Sequence, residues 1–213
     1  VVLTWGNASI ADRHAGVMAI KPSGDAYDAM NADEIVVIDI ASGRVVEGLR
    51  RPSSDTPTHL YLYQQFQQAG GVVHTHSLHA TSFAQSRRDV PCLGTTHADN
   101  FYGAIPCTRE MRREEIESDY ELNTGKVIVE TFAERRIDPM QVPGGLVASH
   151  GPFTWGTTGD KALENAIVVE FASQLALNTR ALEPDAQPIG RHLLEKHFLR
   201  KHGPGAYYGQ SRT

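Results

Sequence analysis

Cysteine is nearly absent from this chain. Its 213 residues include only Cys92 and Cys107, with no CxxC spacing. That excludes a disulfide scaffold and fits a reducing compartment, so a cytoplasmic protein is expected. No apolar run approaches the ~18 residues of a membrane-spanning helix, and no stretch resembles a secretory leader. The net charge of −5 gives no global attraction to nucleic acid or to an anionic membrane, so neither is expected as a partner. Two catalytic signatures are also missing. No G-x-G-x-x-G opens a helix after a strand, since Gly203-Pro-Gly205 stands alone in the tail. No H-E-x-x-H offers a carboxylate to a hydrolytic water. Repeats and low-complexity segments are absent too.

What is present reads as an ordinary soluble globule, with 40% hydrophobic and 21% charged residues. The chain is expected to enter at a strand near Val1–Trp5. Val17-Met-Ala-Ile20 and Glu34-Ile-Val-Val-Ile-Asp-Ile40 read as strands. Ser42-Gly43 turns the second back into Arg44-Val-Val-Glu47 as a hairpin. Pro57 suits the first turn of a helix running to about Phe66. Gly70-Gly71 stops it, and Val72-Val73 opens a buried strand. Helices are expected from His79 to about Gln85, Glu114 to Asn123, Asp160 to Ala181 and His192 to His202. Thr95–Asn100 reads as a loop or strand edge, and Val127-Ile-Val129 as a small strand. Leu146-Val-Ala148 reads as a strand that Gly151-Pro152 ends. The pattern predicts a single layered α/β domain over residues 1–213, with a mainly antiparallel central sheet flanked by helices.

The most informative stretch is Gly70-Gly-Val-Val-His-Thr-His-Ser77. Alternate residues of a strand share a face. His74 and His76 therefore project together, about 6.6–6.8 Å apart along the strand. With His150 in Ser-His-Gly-Pro (149–152) they can form a three-nitrogen metal site with one position left open for substrate. Imidazole suits Zn²⁺, though Mn, Co, Ni and Fe accept the same ligands. Lys21-Pro-Ser-Gly24 and Ser53-Ser54 supply small hydroxyls, exposed amides and a cation. Ser53-Ser54 also precedes a helix N-terminus, where an anion is favoured. Asp55, Asp99 and Tyr207-Tyr208 are candidates for proton transfer. His14, His59, His79, His97, His192, His197 and His202 have no paired spacing and read mostly as surface or capping residues.

Seven segments carry a wider likeness. They are Leu3-Thr-Trp-Gly-Asn7, Ile20-Lys-Pro-Ser-Gly24, Pro52-Ser-Ser-Asp-Thr-Pro-Thr-His59, Val73-His-Thr-His-Ser77, Thr95-Thr-His-Ala-Asp99, Ser149-His-Gly-Pro-Phe153 and Ala206-Tyr-Tyr-Gly-Gln210. In order and nearly end to end, they closely resemble the L-ribulose-5-phosphate 4-epimerase family of the class II aldolase/epimerase superfamily. The resemblance implies Zn²⁺ on His74, His76 and His150, with Asp55 as a further ligand or near-ligand. It implies contacts to a small sugar-phosphate substrate from Gly6, Asn7, Ser23, Gly24, Ser53 and Ser54, with Lys21 close to the phosphate. Asp99 and Tyr208 would be the acid/base pair, with Thr95 and His197 nearby. It also implies a homotetramer with active sites at subunit interfaces, so that Tyr208 serves a neighbour's site. Members of the family usually carry a helical segment ahead of the Thr-Trp-Gly-Asn motif, and by the resemblance this chain is expected to depart from them there.

The chemistry implied makes sense of these residue types. The C4 hydrogen of a 2-ketose phosphate is not α to the carbonyl, so its removal gives no enolate. With no nicotinamide motif, C4 is better inverted by breaking and re-forming C3–C4. That route needs a Lewis acid for the enediolate and proton-transfer groups on both faces of the aldehyde. Two other readings are an aldolase that releases its products and a non-catalytic relative. Aldolases of the superfamily usually have Glu where this chain has Asp55, and non-catalytic relatives tend to lose the metal histidines.

Overall fold

The computed structural model describes residues 3–207. Among them seven strands form one antiparallel sheet: β1 (Asn7–Asp12), β2 (Val17–Ile20), β3 (Val36–Asp39), β4 (Val45–Glu47), β5 (Gly71–His74), β6 (Gly144–Val147) and β7 (Gly151–Gly156). Their spatial order is β4-β3-β2-β1-β5-β7-β6. The helices are α1 (Thr56–Gln65), α2 (Leu78–Ser86), α3 (Thr95–Ala98), α4 (Arg113–Glu117), α5 (Tyr120–Glu134), α6 (Gly159–Leu182) and α7 (Arg191–His202).

The sheet has two halves, and the sequence pattern of each follows from what covers it. In β2 and β3 burial alternates, with Met18, Ile20, Val36 and Ile38 inside and their neighbours partly open. One face there is packed and the other is wet, as antiparallel strands allow. β5, β6 and β7 are buried at every residue, because helices cover both faces. On one side Trp155 packs against Phe66, the residue after α1, and Phe132 of α5, with ring centroids 4.8 and 5.2 Å away. On the other, Thr154 Oγ1 donates to the Ala162 carbonyl of α6 at 3.0 Å.

That second contact demands glycine. A Cβ on Gly71 would sit 2.6 Å from Gly159 Cα and 2.8 Å from the Thr158 carbonyl oxygen, all backbone atoms that cannot swing aside. α1 has already ended at Gln65, so Gly70-Gly71 does not stop it as expected; Gly71 opens β5 and lets the start of α6 close onto it.

Several expectations need correction. The first strand begins at Asn7, after a turn at Leu3–Thr4. The strand carrying the His-x-His stops at His74, so His76 lies beyond it. Thr95–Ala98 is helical. The predicted helix over Glu114–Asn123 is two helices, broken at Ser118–Asp119. Val127-Ile-Val129 is no strand but part of α5, where Val127 and Ile128 bury their β-branched side chains against the core; tertiary packing outweighs local propensity. Gly151-Pro152 does not end a strand but starts β7, where Pro152 as second residue loses little by lacking an N–H. No helix among the described residues is long and apolar enough to cross a membrane.

His59 and His97 are fully interior, not at the surface. His59 Nδ1 lies 2.7 Å from Ser9 Oγ, which also meets the Tyr63 hydroxyl at 2.9 Å. His97 Nε2 donates to the Gly103 carbonyl at 2.8 Å. Burial pushes the His59 pKa down to about 3. It pushes that of His97 down to about 4 against the opposing Gly103 hydrogen bond.

Two outcomes are expected. Gly71→Ala costs about 1–3 kcal/mol by overpacking, read as a lower urea midpoint; an unchanged midpoint would contradict the close approach. Second, His59 and His97 stay neutral in the fold but charge in the unfolded chain below its ordinary pKa of about 6.5. The unfolded state therefore binds more protons, and stability falls as pH falls. Each group removes about 1.4 kcal/mol per pH unit well below that pKa. The loss continues to about pH 4 for His97 and to about 3 for His59. Urea midpoints of metal-free protein between neutral pH and about pH 5 check this, and a flat profile would contradict it.

Candidate metal centre and its anion pocket

His74 closes β5 in a fully formed part of the sheet, paired with Asn7 of β1 and Phe153 of β7. Its Nδ1 donates to the Pro152 carbonyl at 2.9 Å. A carbonyl can only accept, so the hydrogen bond assigns the proton to Nδ1 and turns a bare Nε2 outward. The Phe153 ring stacks on the imidazole with centroids 4.0 Å apart and holds its plane.

His76 arrives from the extended segment after β5, and its Nε2 stands 3.0 Å from His74 Nε2. His150 comes from the tight β6–β7 turn. That turn needs a left-handed residue, Ser149 at φ 61°, and closes with the His150 amide on the Val147 carbonyl at 3.0 Å. Ligand nitrogens of the three residues all lie within 4.8 Å of one another. The predicted triad is therefore assembled, although His76 reaches it from a loop.

The electrostatics fit a cation here. Burial lowers the His74 pKa well below its ordinary value, and His150 and His76 lower it further. Burial also lowers that of His150, with His76 adding to the effect and Asp55 opposing it. Neutral imidazoles that aim nitrogen lone pairs at one point repel unless a cation lies between them. A proton is disfavoured by desolvation; a metal ion suits the donor set. Asp55 stands at the cap of α1 with Oδ2 3.9 Å from His74 Nε2. That oxygen accepts from Asn7 Nδ2 at 2.6 Å, so Asn7 holds the carboxylate at the edge of the cluster.

The triad opens onto a cavity of about 280 Å³. Gly6, Asn7, Lys21, Ser23 and Gly24 line one part of it, and Ser53, Ser54 and Asp55 another. All the expected substrate contacts thus share one cavity. A bridge between Pro22 and Pro52 ties the two loops, and the Ser53 amide donates to the Lys21 carbonyl at 3.0 Å. Gly6 adopts φ +81°, and a Cβ there would lie 2.4 Å from the His74 carbonyl oxygen. Only glycine lets this loop pass over the end of β5. The Lys21 ammonium is buried, donates to the Pro22 carbonyl at 3.1 Å and lies 4.8 Å from the Tyr27 ring centroid. Burial lowers its pKa, and Asp25 opposes the shift.

Thr4 and Trp5 of the Leu3–Asn7 segment also line the cavity, and so do two residues the sequence did not single out, Tyr120 and Glu121. The Tyr120 hydroxyl is 3.5 Å from His150 Nδ1. Burial raises its pKa, as do Asp55 and Glu121. The signal was hidden in a charged stretch that read as continuous helix; α5 in fact begins at Tyr120.

The acid/base candidates lie elsewhere. Asp99 follows α3 and is not among the residues lining the cavity. Its carboxylate meets Arg200 at 2.8 Å and His197 at 3.0 Å. Partial burial would raise its pKa, but those hydrogen bonds prevail and hold it below the usual carboxylate value. Thr95 and His197 accompany it and do not reach the cavity either. Tyr208 lies outside the described residues.

Residues 1–177 match the family of class II aldolase and adducin N-terminal domains. The chain is 54% identical over 210 residues to the L-ribulose-5-phosphate 4-epimerase UlaF of Salmonella typhi and, to the same extent, of Salmonella paratyphi A. The match spans 99% of this chain and 91% of each relative. Among solved structures, an L-fuculose 1-phosphate aldolase superposes with a TM-score of 0.76 at 24% identity, covering 92% of this chain and 85% of that one. YgbL of Klebsiella pneumoniae, a putative aldolase/epimerase/decarboxylase, gives 0.71 at 19% identity, covering 92% and 88%. These structures share the fold. The chain belongs to the class II aldolase and adducin N-terminal domain family and, within it, to the L-ribulose-5-phosphate 4-epimerases.

Proposed function

We propose that this chain interconverts L-ribulose 5-phosphate and D-xylulose 5-phosphate by cleaving and re-forming C3–C4, with Zn²⁺ as resident metal on His74, His76 and His150. The observation that carries the activity is the 54% identity to relatives named L-ribulose-5-phosphate 4-epimerase, over 99% of the chain. The convergence of the three imidazoles beside an anion-capturing cavity supports the chemistry.

When bound, the metal supplies Lewis-acid polarisation of substrate oxygens. The chain's own groups do the rest. Lys21 and the Ser53-Ser54 amides hold the phosphate end, so that the cleaved aldehyde turns over without leaving. Asn7 orients Asp55 through its 2.6 Å hydrogen bond. A base takes the C4 hydroxyl proton as C3–C4 breaks, giving an aldehyde and an enediolate. The bond re-forms on the other face of the aldehyde, and an acid returns a proton to the new C4 alkoxide. Asp99 and Tyr208 fill these two roles, one for each face.

Asp99 is away from the cavity of its own chain, so we place it, with Tyr208, at the site of a neighbouring copy. An apolar face supports assembly. Leu163, Ile167 and Phe171 recur at helical spacing on α6 and are 53, 64 and 50% exposed, more apolar surface than one helix of a monomer needs to show. We read the assembly as a homotetramer, the whole chain as one domain and the location as cytoplasmic.

Purified protein should convert L-ribulose 5-phosphate without added nicotinamide, lose this on chelation and regain it with Zn²⁺. Folded, metal-loaded protein that gives no conversion would overturn the reading, and free aldehyde as product would favour an aldolase. His76→Ala should lose bound metal by elemental analysis; full occupancy would remove it from the ligand set. Asp99→Asn and Tyr208→Phe should each lower turnover about 10²–10⁴-fold with metal retained. Unchanged turnover in both would sink the acid/base assignment. Mixing His76→Ala with Asp99→Asn subunits should restore activity by pairing an intact metal centre with an intact Asp99. No recovery in a verified mixed oligomer would place Asp99 in cis.

A further inference from the structure

α2 begins two residues after His76, with Ser77 at its cap position. Ser77 makes no capping hydrogen bond. The free amides of the first turn go instead to a carboxylate from a distant helix. Glu170 of α6 accepts from the His79 amide at 3.1 Å to each oxygen, from the Ala80 amide at 3.0 Å, and from His79 Nδ1 at 2.6 Å. Burial would raise the Glu170 pKa, but the amide hydrogen bonds hold it below the usual value. A local cap would satisfy the same amides while leaving the helix free to shift as a body. A cap 91 residues away fixes the helix start to α6, which is itself packed on β5 and β7.

The other end of the same helix holds the other loop ligand. The Ala84 carbonyl accepts from the Ser149 amide at 2.8 Å, and Ser149 is the left-handed residue that turns the chain into His150. Both Ala80 and Ala84 are completely buried. His74 is placed by the sheet, whereas His76 and His150 lie on irregular backbone at the two ends of one nine-residue rod. Whatever fixes that rod fixes the separation of two ligands out of three.

We propose that Glu170 is a positioning residue for the metal centre: its carboxylate pins the first turn of α2 to α6 and, through that helix, sets His76 and His150 relative to His74. The proposal rests on the metal reading of the three histidines. Glu170 touches neither metal ligand nor substrate, so its loss loosens the donor set without removing a donor. Partners that orient ligands in this way typically change metal affinity about 10–100-fold.

The test is a cobalt titration of metal-free wild type, Glu170→Gln and Glu170→Ala, competed against a chelator. It is run well below the melting transition of every variant, where lost global stability alone leaves affinity unchanged. Val36→Ala, a core cavity in β3, three strands away from β5 in the sheet, serves as the destabilised control. Glu170→Ala is expected to bind cobalt about tenfold more weakly or worse, with an altered d–d absorption envelope. Glu170→Gln, which keeps one acceptor oxygen, should fall between it and wild type, and Val36→Ala should match wild type. Wild-type affinity and spectrum in Glu170→Ala would overturn the proposal while leaving the metal centre intact. A Val36→Ala variant that weakens cobalt as much as Glu170→Ala would also overturn it, because general loosening would then suffice. A wild-type protein that takes up no cobalt would overturn the metal reading itself.

Discussion

β5 is hydrogen-bonded on both flanks and covered on both faces, and its register decides where His74 points. The strand is four residues long. A slip of one residue would send His74 to the α6 side and Val73 to the side where His59 and Asp55 lie. Three features prevent the slip. Gly71 is the only residue type that fits against the start of α6. Val72 is opposite Trp155, which is locked between Phe66 and Phe132. His74 Nδ1 is bonded to Pro152 of the adjacent strand. The last of these also selects the tautomer, so one hydrogen bond couples sheet register to the direction of a nitrogen lone pair.

Much of this was legible because the sequence features are local consequences of burial. The alternation in Val17–Ile20 and around Val36–Ile38 reports a half-covered sheet, and Val72-Val73 a fully covered one. Pro57 and Ser53-Ser54-Asp55 mark the start of α1 and place the carboxylate beside the triad. The spacing of His74 and His76 also survives the early end of β5, because Thr75–His76 continues extended enough to bring both Nε2 atoms within 3.0 Å. What failed depends on contacts made by distant residues. Val127-Ile-Val129 has strand propensity but lies where Phe132 and the sheet reward a helix. Gly151-Pro152 is a stop signal in isolation. Here Pro152 contributes a carbonyl that the Thr75 amide and His74 both use. Tyr120 and Glu121 reach the cavity because of a break at Ser118–Asp119 that composition does not announce.

The charge distribution separates two tasks. Around the triad, burial lowers the pKa values of His74 and His150, and one carboxylate, Asp55, is held by an amide, Asn7. In the same cavity Lys21 is buried, with the Tyr27 ring and the field of Asp25 beside it. A dianionic phosphate and a divalent cation would each find opposite charge in its own part of one cavity of about 280 Å³.

α6 connects these parts. Its first turn closes on Gly71 and Gly156, which places it against the sheet. Its middle extends Glu170 to α2 and so to the loop ligands. Further along, Ala172 and Ala176 are buried, and with Thr179 they border a small cavity beside Thr96 and His97 of α3, the helix that presents Asp99. Small side chains there let α3 approach, and the His97 hydrogen bond to Gly103 closes the loop behind it. Asp99 and the metal histidines, although in separate regions of the chain, are therefore referred to the same 24-residue rod. The outward face of that rod is the apolar Leu163–Ile167–Phe171 stripe. If copies assemble through it, the surface that brings a neighbour's Asp99 toward a cavity belongs to the helix whose Glu170 caps the first turn of α2. Packing between subunits and geometry within them would then be fixed by one element.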